Sequence, residues 1–209
     1  EGDTATANQQ LCQLHGPAQP LLTGERTALN FLQTLSAVAS ATRVCTAAIA
    51  GTRARILDTR KTIPGLRLAQ KYAVRVGGGT NHRMGLYDGI LVKENHIVAA
   101  GGITAAVRRA REQKSIVLLE VEVETLAQAE EALTAGADRL LLDNFSTGLM
   151  SEAVALRDRL SPPTTLEASG GISFETLRPV AETGVDFISI GALTKNIRAV
   201  DLSMRFSFE

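Results

Sequence analysis

Short apolar runs alternate with amphipathic stretches from residue 54 onward. Runs rich in Val, Ile and Leu are typical of strands, whereas apolar residues at three- and four-residue steps predict helices. Strands are predicted at Ala54–Leu57, Gly89–Val92, Ile116–Val123, Arg139–Leu142, Thr164–Leu166 and Phe187–Ile190. Helices are predicted between them at Leu66–Val76, Thr104–Gln113, Leu126–Ala135, Gly148–Leu160 and Phe174–Glu182. This alternation favours an α/β fold with a parallel sheet whose faces are covered.

Two near-identical turns suggest that the chain repeats one βα unit. Gly136-Ala137-Asp138 and Gly184-Val185-Asp186 each lead from a helix to a strand, with Gly expected to end the helix. We therefore predict a βα barrel of six to seven parallel strands, open or incomplete, rather than an open sheet. A further strand is expected near Asn81–Met84 or at the termini. A dinucleotide-binding fold is disfavoured because Gly77-Gly78-Gly79 follows a helix and not a strand.

The residues before residue 54 have a different pattern. Leu21 to about Ala50 is predicted to be a long helix-rich stretch, since its small and apolar residues recur at helical steps. Gln10–Leu14 is predicted as one short strand that Gly16-Pro17 ends.

Composition and charge exclude several classes of protein. Lys and Arg number 22 and Asp and Glu number 22, so the net charge is 0, which argues against nucleic-acid or anionic-membrane binding. No apolar run reaches the roughly 18 residues of a membrane span. Cys12 and Cys45 are predicted to be buried, inert thiols, and the polar start of the chain lacks a signal core, so a cytoplasmic location is expected.

Cationic side chains follow the predicted strands. In a βα barrel the carboxyl ends of the strands form the active face. A positive set in a net-neutral chain points to an anionic ligand, and Arg suits carboxylate or phosphate. The set consists of Arg60, Lys61, His82, Arg83 and Lys93. Lys71, Arg75 and the Arg108–Arg111 group are interpreted instead as solvent-exposed helix faces.

Carboxylates accompany these cations. Glu120, Glu122 and Glu124 alternate along one strand and so share one of its faces. Glu122 is retained as a site residue, while Glu120 and Glu124 could be partly exposed or paired with Arg. Asp143 follows the next strand, although Asp143-Asn144 could instead cap a helix. Carboxylates beside cations fit Mg²⁺ with a polyphosphate, or a cationic transition state.

The last two strand ends are small and rich in glycine. Ser169-Gly170-Gly171 and Gly191-Ala192 expose backbone N–H groups that can bind a phosphate, as βα barrels frequently do after their last strands. Tight turns alone are the alternative interpretation.

Together these motifs resemble one family. The matching segments are Gly24–Asn30, Asp58–Thr62, Gly77–Arg83, Lys93–His96, Glu120–Glu124, Leu142–Asn144, Ser169–Gly171 and Gly191–Lys195. They are similar to the motifs of the quinolinate phosphoribosyltransferases (nicotinate-nucleotide pyrophosphorylases, carboxylating), which are type II phosphoribosyltransferases. The resemblance implies an α/β barrel with an N-terminal α/β sandwich. It implies conversion of quinolinate and phosphoribosyl pyrophosphate to nicotinate mononucleotide, CO₂ and pyrophosphate in NAD biosynthesis, with Mg²⁺ and no organic cofactor.

The resemblance also implies a role for each matching residue. Arg60, His82 and Arg83 would hold the two quinolinate carboxylates, and Lys61 and Lys93 would face the pyrophosphate and the reacting region. Glu122 and Asp143 would bind the ribose hydroxyls or the metal. The 5′-phosphate would be held by Ser169, Gly170, Gly171 and Gly191, with Lys195 as a further contact. Arg26 would reach the neighbouring subunit's site, which implies a homodimer.

The domain boundaries follow from the same resemblance. Residues 1–20 are expected to be the final portion of the sandwich domain, most of which is absent, and residues 21–200 the barrel. Residues 201–209 would form a strand or tail that returns to the sandwich. Two alternatives stay open: a related enzyme that uses another pyridine carboxylate, and a non-catalytic barrel that binds a phosphate or nucleotide.

Replacing Arg83 tests the implied dicarboxylate site. We expect Arg83→Ala to raise KM for quinolinate much more than KM for the ribosyl donor, because the guanidinium would contact only the pyridine substrate. Steady-state kinetics with each substrate varied in turn would measure this. Equal effects on both constants would contradict the assigned role.

Overall fold

The computed structural model describes residues 1–113 and 117–206. The helices are α1 (Ala18–Ala48), α2 (Arg67–Val76), α3 (Glu94–Ala100), α4 (Ile103–Glu112), α5 (Leu126–Thr134), α6 (Thr147–Leu160), α7 (Phe174–Glu182) and α8 (Ala192–Lys195). The strands are β1 (Arg55–Leu57), β2 (Ile90–Val92), β3 (Leu119–Val123), β4 (Arg139–Asp143), β5 (Thr165–Ser169) and β6 (Phe187–Ser189). Each strand and helix predicted from the alternating pattern is therefore present, although Ile116 of the third predicted strand lies outside the described residues.

All strand pairs are parallel, and the sheet order is β1-β6-β5-β4-β3-β2. This is a barrel that is left open between β1 and β2, as predicted. In place of a seventh strand, the described residues contain a single parallel bridge between Leu57 and Thr80. The segment that follows Thr80 crosses towards β2, where the Arg83 guanidinium donates to the Gly89 carbonyl oxygen at 2.9 Å.

The main core lies between the strands and the surrounding helices. Val121, Val123, Leu140 and Leu142 are fully buried, and they alternate with residues that face the barrel interior. Small residues such as Ala129, which is also fully buried, let the helices pack closely against this layer.

The two repeated turns join helix to strand as expected. Gly136 and Gly184 have φ of 88° and 94°, a left-handed conformation that glycine adopts without a steric cost. The Asp in each turn accepts a backbone N–H from a neighbouring strand: Asp138 from Leu119 at 2.7 Å, and Asp186 from Leu166 at 2.9 Å.

Two predictions near the N-terminus were wrong. Gln10–Leu14 is exposed and irregular, because no described strand lies alongside it to accept its backbone hydrogen bonds. Cys12 is exposed, and only Cys45 is partly buried.

The C-terminal segment takes the form of a tail. Residues 201–206 form no strand, and the Leu202 carbonyl oxygen accepts a hydrogen bond from the Gln33 side-chain amide of α1 at 3.4 Å. Residues 207–209 lie outside the described residues. The return of this tail to a sandwich domain stays a prediction.

Two local elements differ from the predicted loops. Residues after β2 form α3, whose start is fixed by Lys93 N–H donating to Nδ1 of His96 at 3.0 Å. β5 extends to Ser169, so Glu167 lies within the strand and not after it.

No helix in residues 1–113 and 117–206 combines the length and apolar character needed to cross a membrane.

Charged side chains fill part of the barrel interior. Glu120 and Glu167 are at most 1% exposed, and the imidazole Nε2 of His82 lies 3.0 Å from Glu120 Oε2 and 3.4 Å from Glu167 Oε2. The Arg139 guanidinium lies 3.5 Å from Glu167 Oε2 and also over the Phe187 ring. These carboxylates are therefore compensated by a cation and an imidazole and not by solvent.

The surroundings of the two buried glutamates favour one proton shared between them. Among the described residues, neither oxygen of Glu120 accepts a hydrogen bond, and neither does Oε1 of Glu167. Burial and then the neighbouring Glu120 carboxylate raise the pKa of Glu167 to about 8. A protonated Glu167 can donate to Glu120, which supplies the missing donor and avoids two adjacent buried charges.

This proton predicts a stability that falls as pH rises from roughly 5 to roughly 8, by at most about 1.4 kcal/mol per pH unit. The folded protein keeps the Glu167 proton up to about pH 8, whereas an unfolded glutamate loses its proton at about pH 4.3. Glu167→Gln imitates the protonated carboxyl, so we expect a flatter slope in urea unfolding across this range. Glu152→Gln, which replaces an exposed carboxylate on α6, should keep the wild-type slope. An identical slope in all three proteins would show that Glu167 is ionised throughout.

Candidate active site

Arg60 lies in the loop after β1, and Arg83 lies in the segment after Thr80, where its guanidinium donates to the Gly89 carbonyl oxygen just before β2. Burial lowers the pKa of Arg83, and the charge of Arg60 lowers it further, so the two cations repel each other. Arg67 of α2 links their backbones, donating to the carbonyl oxygens of Arg60 and Met84, each at 3.2 Å. Such a pair favours an anion that both groups can bind.

A buried ion pair lies directly behind these arginines. Nζ of Lys71 donates to Asp58 Oδ1 at 2.5 Å, and both side chains are fully buried. Burial raises the pKa of the Asp58 carboxyl, and the hydrogen bond from Lys71 opposes that rise. The prediction that Lys71 lies on a solvent-exposed helix face was wrong. It shares the buried side of α2 with Val74, three residues later.

His82 belongs to the barrel interior in this structure. Its Nδ1 accepts the Arg83 backbone N–H at 2.7 Å, so Nε2 carries the proton that faces Glu120 and Glu167. Burial lowers the pKa of His82, which keeps the ring neutral. Because Nε2 faces the two buried glutamates, the predicted contact with a substrate carboxylate requires the ring to leave this position. Although the three side chains are close enough to share a metal ion, a protonated Nε2 cannot be a ligand.

The carboxylates of β3 and β4 lie at the same edge of the sheet. Glu122 is half-buried, and its Oε2 lies 3.0 Å from Lys93 Nζ, which is exposed. Asp143 ends β4 and accepts a hydrogen bond from the Asn144 side chain at 2.8 Å. The alternative role of Asp143-Asn144 as a helix cap is excluded, because the Ser146 hydroxyl caps α6. Half-buried carboxylate oxygens on adjacent strands fit the oxygen ligands that Mg²⁺ prefers.

The glycine-rich ends of β5 and β6 are shaped by close contacts. A Cβ at Gly170 would lie 2.2 Å from Oδ1 of Asn144, and the φ of Gly170 is 91°, so only glycine fits there. The φ of Gly171 is 58°, and Ser169 directly precedes the pair. At the end of β6, a Cβ on Gly191 would lie 3.4 Å from Lys61 Cδ and 3.9 Å from Lys195 Cε, so both lysines flank this glycine. The backbone N–H groups and these ammonium groups suit a phosphate.

One predicted residue is placed apart from this set. Arg26 lies exposed in the third turn of α1, and no described contact joins it to the strand ends.

A cavity of about 390 Å³ opens between the segment after Thr80 and the start of β2, and it is lined by His82, Arg83, Glu120 and Arg139 among others. This cavity is therefore lined both by cations and by the unbonded Glu120 carboxylate.

The rim is the set of side chains and glycines around the carboxyl ends of the strands, together with Arg83 in the segment after Thr80. It comprises Arg60, Lys61, Arg83, Lys93, Glu122, Asp143, Gly170 and Gly191. Sequence reasoning missed the residues that support this rim. Its local patterns assign Lys71, Asp58 and Arg67 to a helix face or a loop, yet each contacts the backbone beside Arg60 or Arg83. A signal was available for Lys71, because it recurs at helical spacing with the apolar residues of α2. No local pattern indicated its partner, which lies 13 positions away in the sequence.

Comparison with known proteins shows the family of this chain. A sequence model described as "Quinolinate phosphoribosyl transferase, C-terminal domain" matches residues 38–205, and the model of the N-terminal domain matches residues 1–36. The chain is 46% identical over 206 residues to the "Probable nicotinate-nucleotide pyrophosphorylase [carboxylating]" of Bacillus subtilis, covering 98% of this chain and 70% of the relative. It is 44% identical to the Mycobacterium leprae "Nicotinate-nucleotide pyrophosphorylase [carboxylating]", covering 98% and 72%.

Solved structures give the same result. NadC from Streptococcus pyogenes superposes with a TM-score of 0.93 at 42% identity, covering 99% of this chain and 72% of that one. The nicotinate-nucleotide pyrophosphorylase from Francisella tularensis superposes with a TM-score of 0.86 at 50% identity, covering 89% and 65%. The chain belongs to the quinolinate phosphoribosyl transferase family.

Proposed function

We propose that this protein transfers the phosphoribosyl group of phosphoribosyl pyrophosphate to quinolinate and releases CO₂, which gives nicotinate mononucleotide and pyrophosphate for NAD biosynthesis. The observation that carries the proposal is the set of cations around the carboxyl ends of the strands. Lys93 pairs with Glu122 of β3, and Lys61 and Lys195 flank Gly191 after β6. Arg60 follows β1, and its charge lowers the pKa of Arg83. A pyridine dicarboxylate would relieve the repulsion of the arginines and present its ring nitrogen to the sugar.

The rim divides into regions that match the parts of the two substrates. Arg60 and Arg83 would bind the quinolinate carboxylates, and Ser169, Gly170, Gly171 and Gly191 would bind the 5′-phosphate, with Lys195 beside them. Lys61 and Lys93 would face the pyrophosphate. This division brings two polyanions together because ammonium and guanidinium groups offset their mutual repulsion.

The residues at the rim act by position and charge. The ring nitrogen attacks C1′ of the ribose while the bond from C1′ to the pyrophosphate oxygen breaks, so positive charge develops on the sugar. The Glu122 and Asp143 carboxylates stabilise that charge from the ends of β3 and β4. The 2-carboxylate then leaves as CO₂, since the cationic ring accepts the electron pair, and C2 takes up a proton. No covalent enzyme intermediate is required.

Glu122 and Asp143 are also the residues that would hold Mg²⁺, either directly or through the substrate hydroxyls. When bound, the ion would neutralise charge on the departing pyrophosphate. The Lys93 ammonium, 3.0 Å from Glu122 Oε2, keeps this carboxylate oriented towards the rim.

The site would be shared between the subunits of a homodimer. Arg26 lies away from the rim of its own chain, on an exposed face of α1, which suits a residue that acts in a neighbouring site. The cytoplasmic location stays a prediction.

The reaction can be tested by release of labelled CO₂ from carboxyl-labelled quinolinate in the presence of phosphoribosyl pyrophosphate and Mg²⁺. We expect turnover that a chelator abolishes and Mg²⁺ restores. Glu122→Gln should lower kcat by roughly 100-fold, because it removes charge stabilisation in the transition state. Glu124→Gln, an exposed neighbour along the same chain segment, should leave kcat within about twofold of wild type. Release of no CO₂ by the wild-type protein, with quinolinate bound unchanged, would favour the non-catalytic barrel.

Mixing two inactive variants tests the shared site. Each site would combine Glu122 of one chain with Arg26 of the other. A dimer of one Arg26→Ala chain and one Glu122→Gln chain would therefore contain one site with both native residues and one site with neither. After subunit exchange we expect up to about a quarter of wild-type activity, because half of the dimers are mixed and each has one of two sites intact. If the mixture stays as inactive as the separate variants while exchange is demonstrated by mass spectrometry, Arg26 does not act in the partner's site.

A further inference from the structure

The ion pair of Lys71 and Asp58 connects three parts of the chain. Lys71 lies on α2 and Asp58 directly follows β1. Nζ of Lys71 also donates to the His82 carbonyl oxygen at 2.7 Å. A fully buried ammonium group is stable only when such partners compensate it, so these bonds fix α2, β1 and the segment after Thr80 relative to one another.

Asp58 strengthens the same connection from its own side. Its Oδ1 accepts the His82 backbone N–H at 2.9 Å, and its Oδ2 accepts the Asn81 side-chain amide at 2.6 Å. The Asn81 amide also donates to the Lys71 carbonyl oxygen at 2.8 Å. The His82 backbone is thus bound at both its N–H and its carbonyl group, which leaves little freedom for the next residue, Arg83.

The network lies beside both of the arginines at the rim. Arg60 is two residues after Asp58, and Arg83 is one residue after His82. Arg67, one helical turn before Lys71, binds the carbonyl oxygens of Arg60 and Met84. Two cations of one helix therefore bind the backbone on either side of the arginine pair.

The hydrogen-bond network offsets the repulsion between the Arg60 and Arg83 guanidinium groups by fixing the backbone that carries them. If their backbones were free, a dicarboxylate would have to hold Arg60 and Arg83 together at a cost in binding energy. A rigid frame avoids that cost because it holds the two groups at a fixed spacing before the substrate arrives.

From this geometry we infer that Lys71 and Arg67 are positioning residues for dicarboxylate recognition. They set the spacing of the Arg60 and Arg83 backbones and touch no substrate themselves. This role rests on the proposed function only in naming the dicarboxylate as the bound group.

Three variants of the full chain test the inference. The double variant Asp58→Asn with Lys71→Met removes both buried charges together, which avoids leaving one of them uncompensated. Arg67→Met removes the second link, and this half-buried residue tolerates replacement more readily. The matched control is Arg157→Met with Asp186→Asn, a second buried ion pair at 2.8 Å that lies at the opposite end of the strands.

Kinetics give the first readout. We expect the two test variants to raise KM for quinolinate by roughly 10- to 100-fold while KM for phosphoribosyl pyrophosphate stays within about threefold, because misplacement of binding groups by about 1 Å has effects of this size. The control pair should lower the unfolding temperature without changing either constant. Equal rises in both constants, or the same pattern in the control pair, would overturn the inference.

Backbone hydrogen exchange gives a second readout that does not depend on activity. We expect the amides of residues 81–84 to exchange at least about tenfold faster in the double variant, with β3 and β4 unchanged, since local opening of this segment loses its restraint. Unchanged exchange at residues 81–84 would refute the positioning role even if the wild-type protein proved inactive on quinolinate. An inactive wild-type protein with the expected exchange would instead refute the proposed reaction and leave the frame in place.

Discussion

The mutual compensation of one buried ammonium group and one buried carboxylate determines the shape of the rim. Lys71 and Asp58 are both fully buried, and each would be strongly unfavourable alone. Their pairing draws α2 against the end of β1 and against the segment after Thr80, and that segment carries Arg83. The backbone positions of Arg60 and Arg83 therefore depend on an interaction between side chains that solvent does not reach.

The opening in the barrel gives this interaction its importance. A closed sheet would fix the segment after Thr80 by a ladder of backbone hydrogen bonds, but here that ladder is reduced to a single bridge at Leu57. The side chains of Asp58, Lys71 and Asn81 supply the bonds that a seventh strand would have made. Replacing backbone pairing with side-chain bonds places His82 and Arg83 in the gap, where their side chains can face the interior and the rim.

In the barrel interior, two buried carboxyl groups lie close together. Two adjacent ionised carboxylates with few donors are unfavourable, and the raised pKa of Glu167 favours a protonated carboxyl beside the Glu120 carboxylate. The neutral His82 ring contacts this pair on one side and the Arg83 backbone on the other. Polar residues thus fill the barrel centre where many barrels of this class use branched aliphatic residues.

The amino-acid sequence by itself determined the fold class, the order of the strands and helices, and the residues at each strand's carboxyl end. These properties depend on local periodicity and on the rule that parallel strands end at one edge, so Lys93, Glu122, Asp143 and Gly170 could be grouped from the sequence alone. The sequence could not show that Lys71 is buried, that β5 includes Glu167, or that the His82 ring turns inward. Only the tertiary structure decided these points, because the burial of a charged side chain is set by partners distant in the sequence whose pairing offsets the cost of removing it from water.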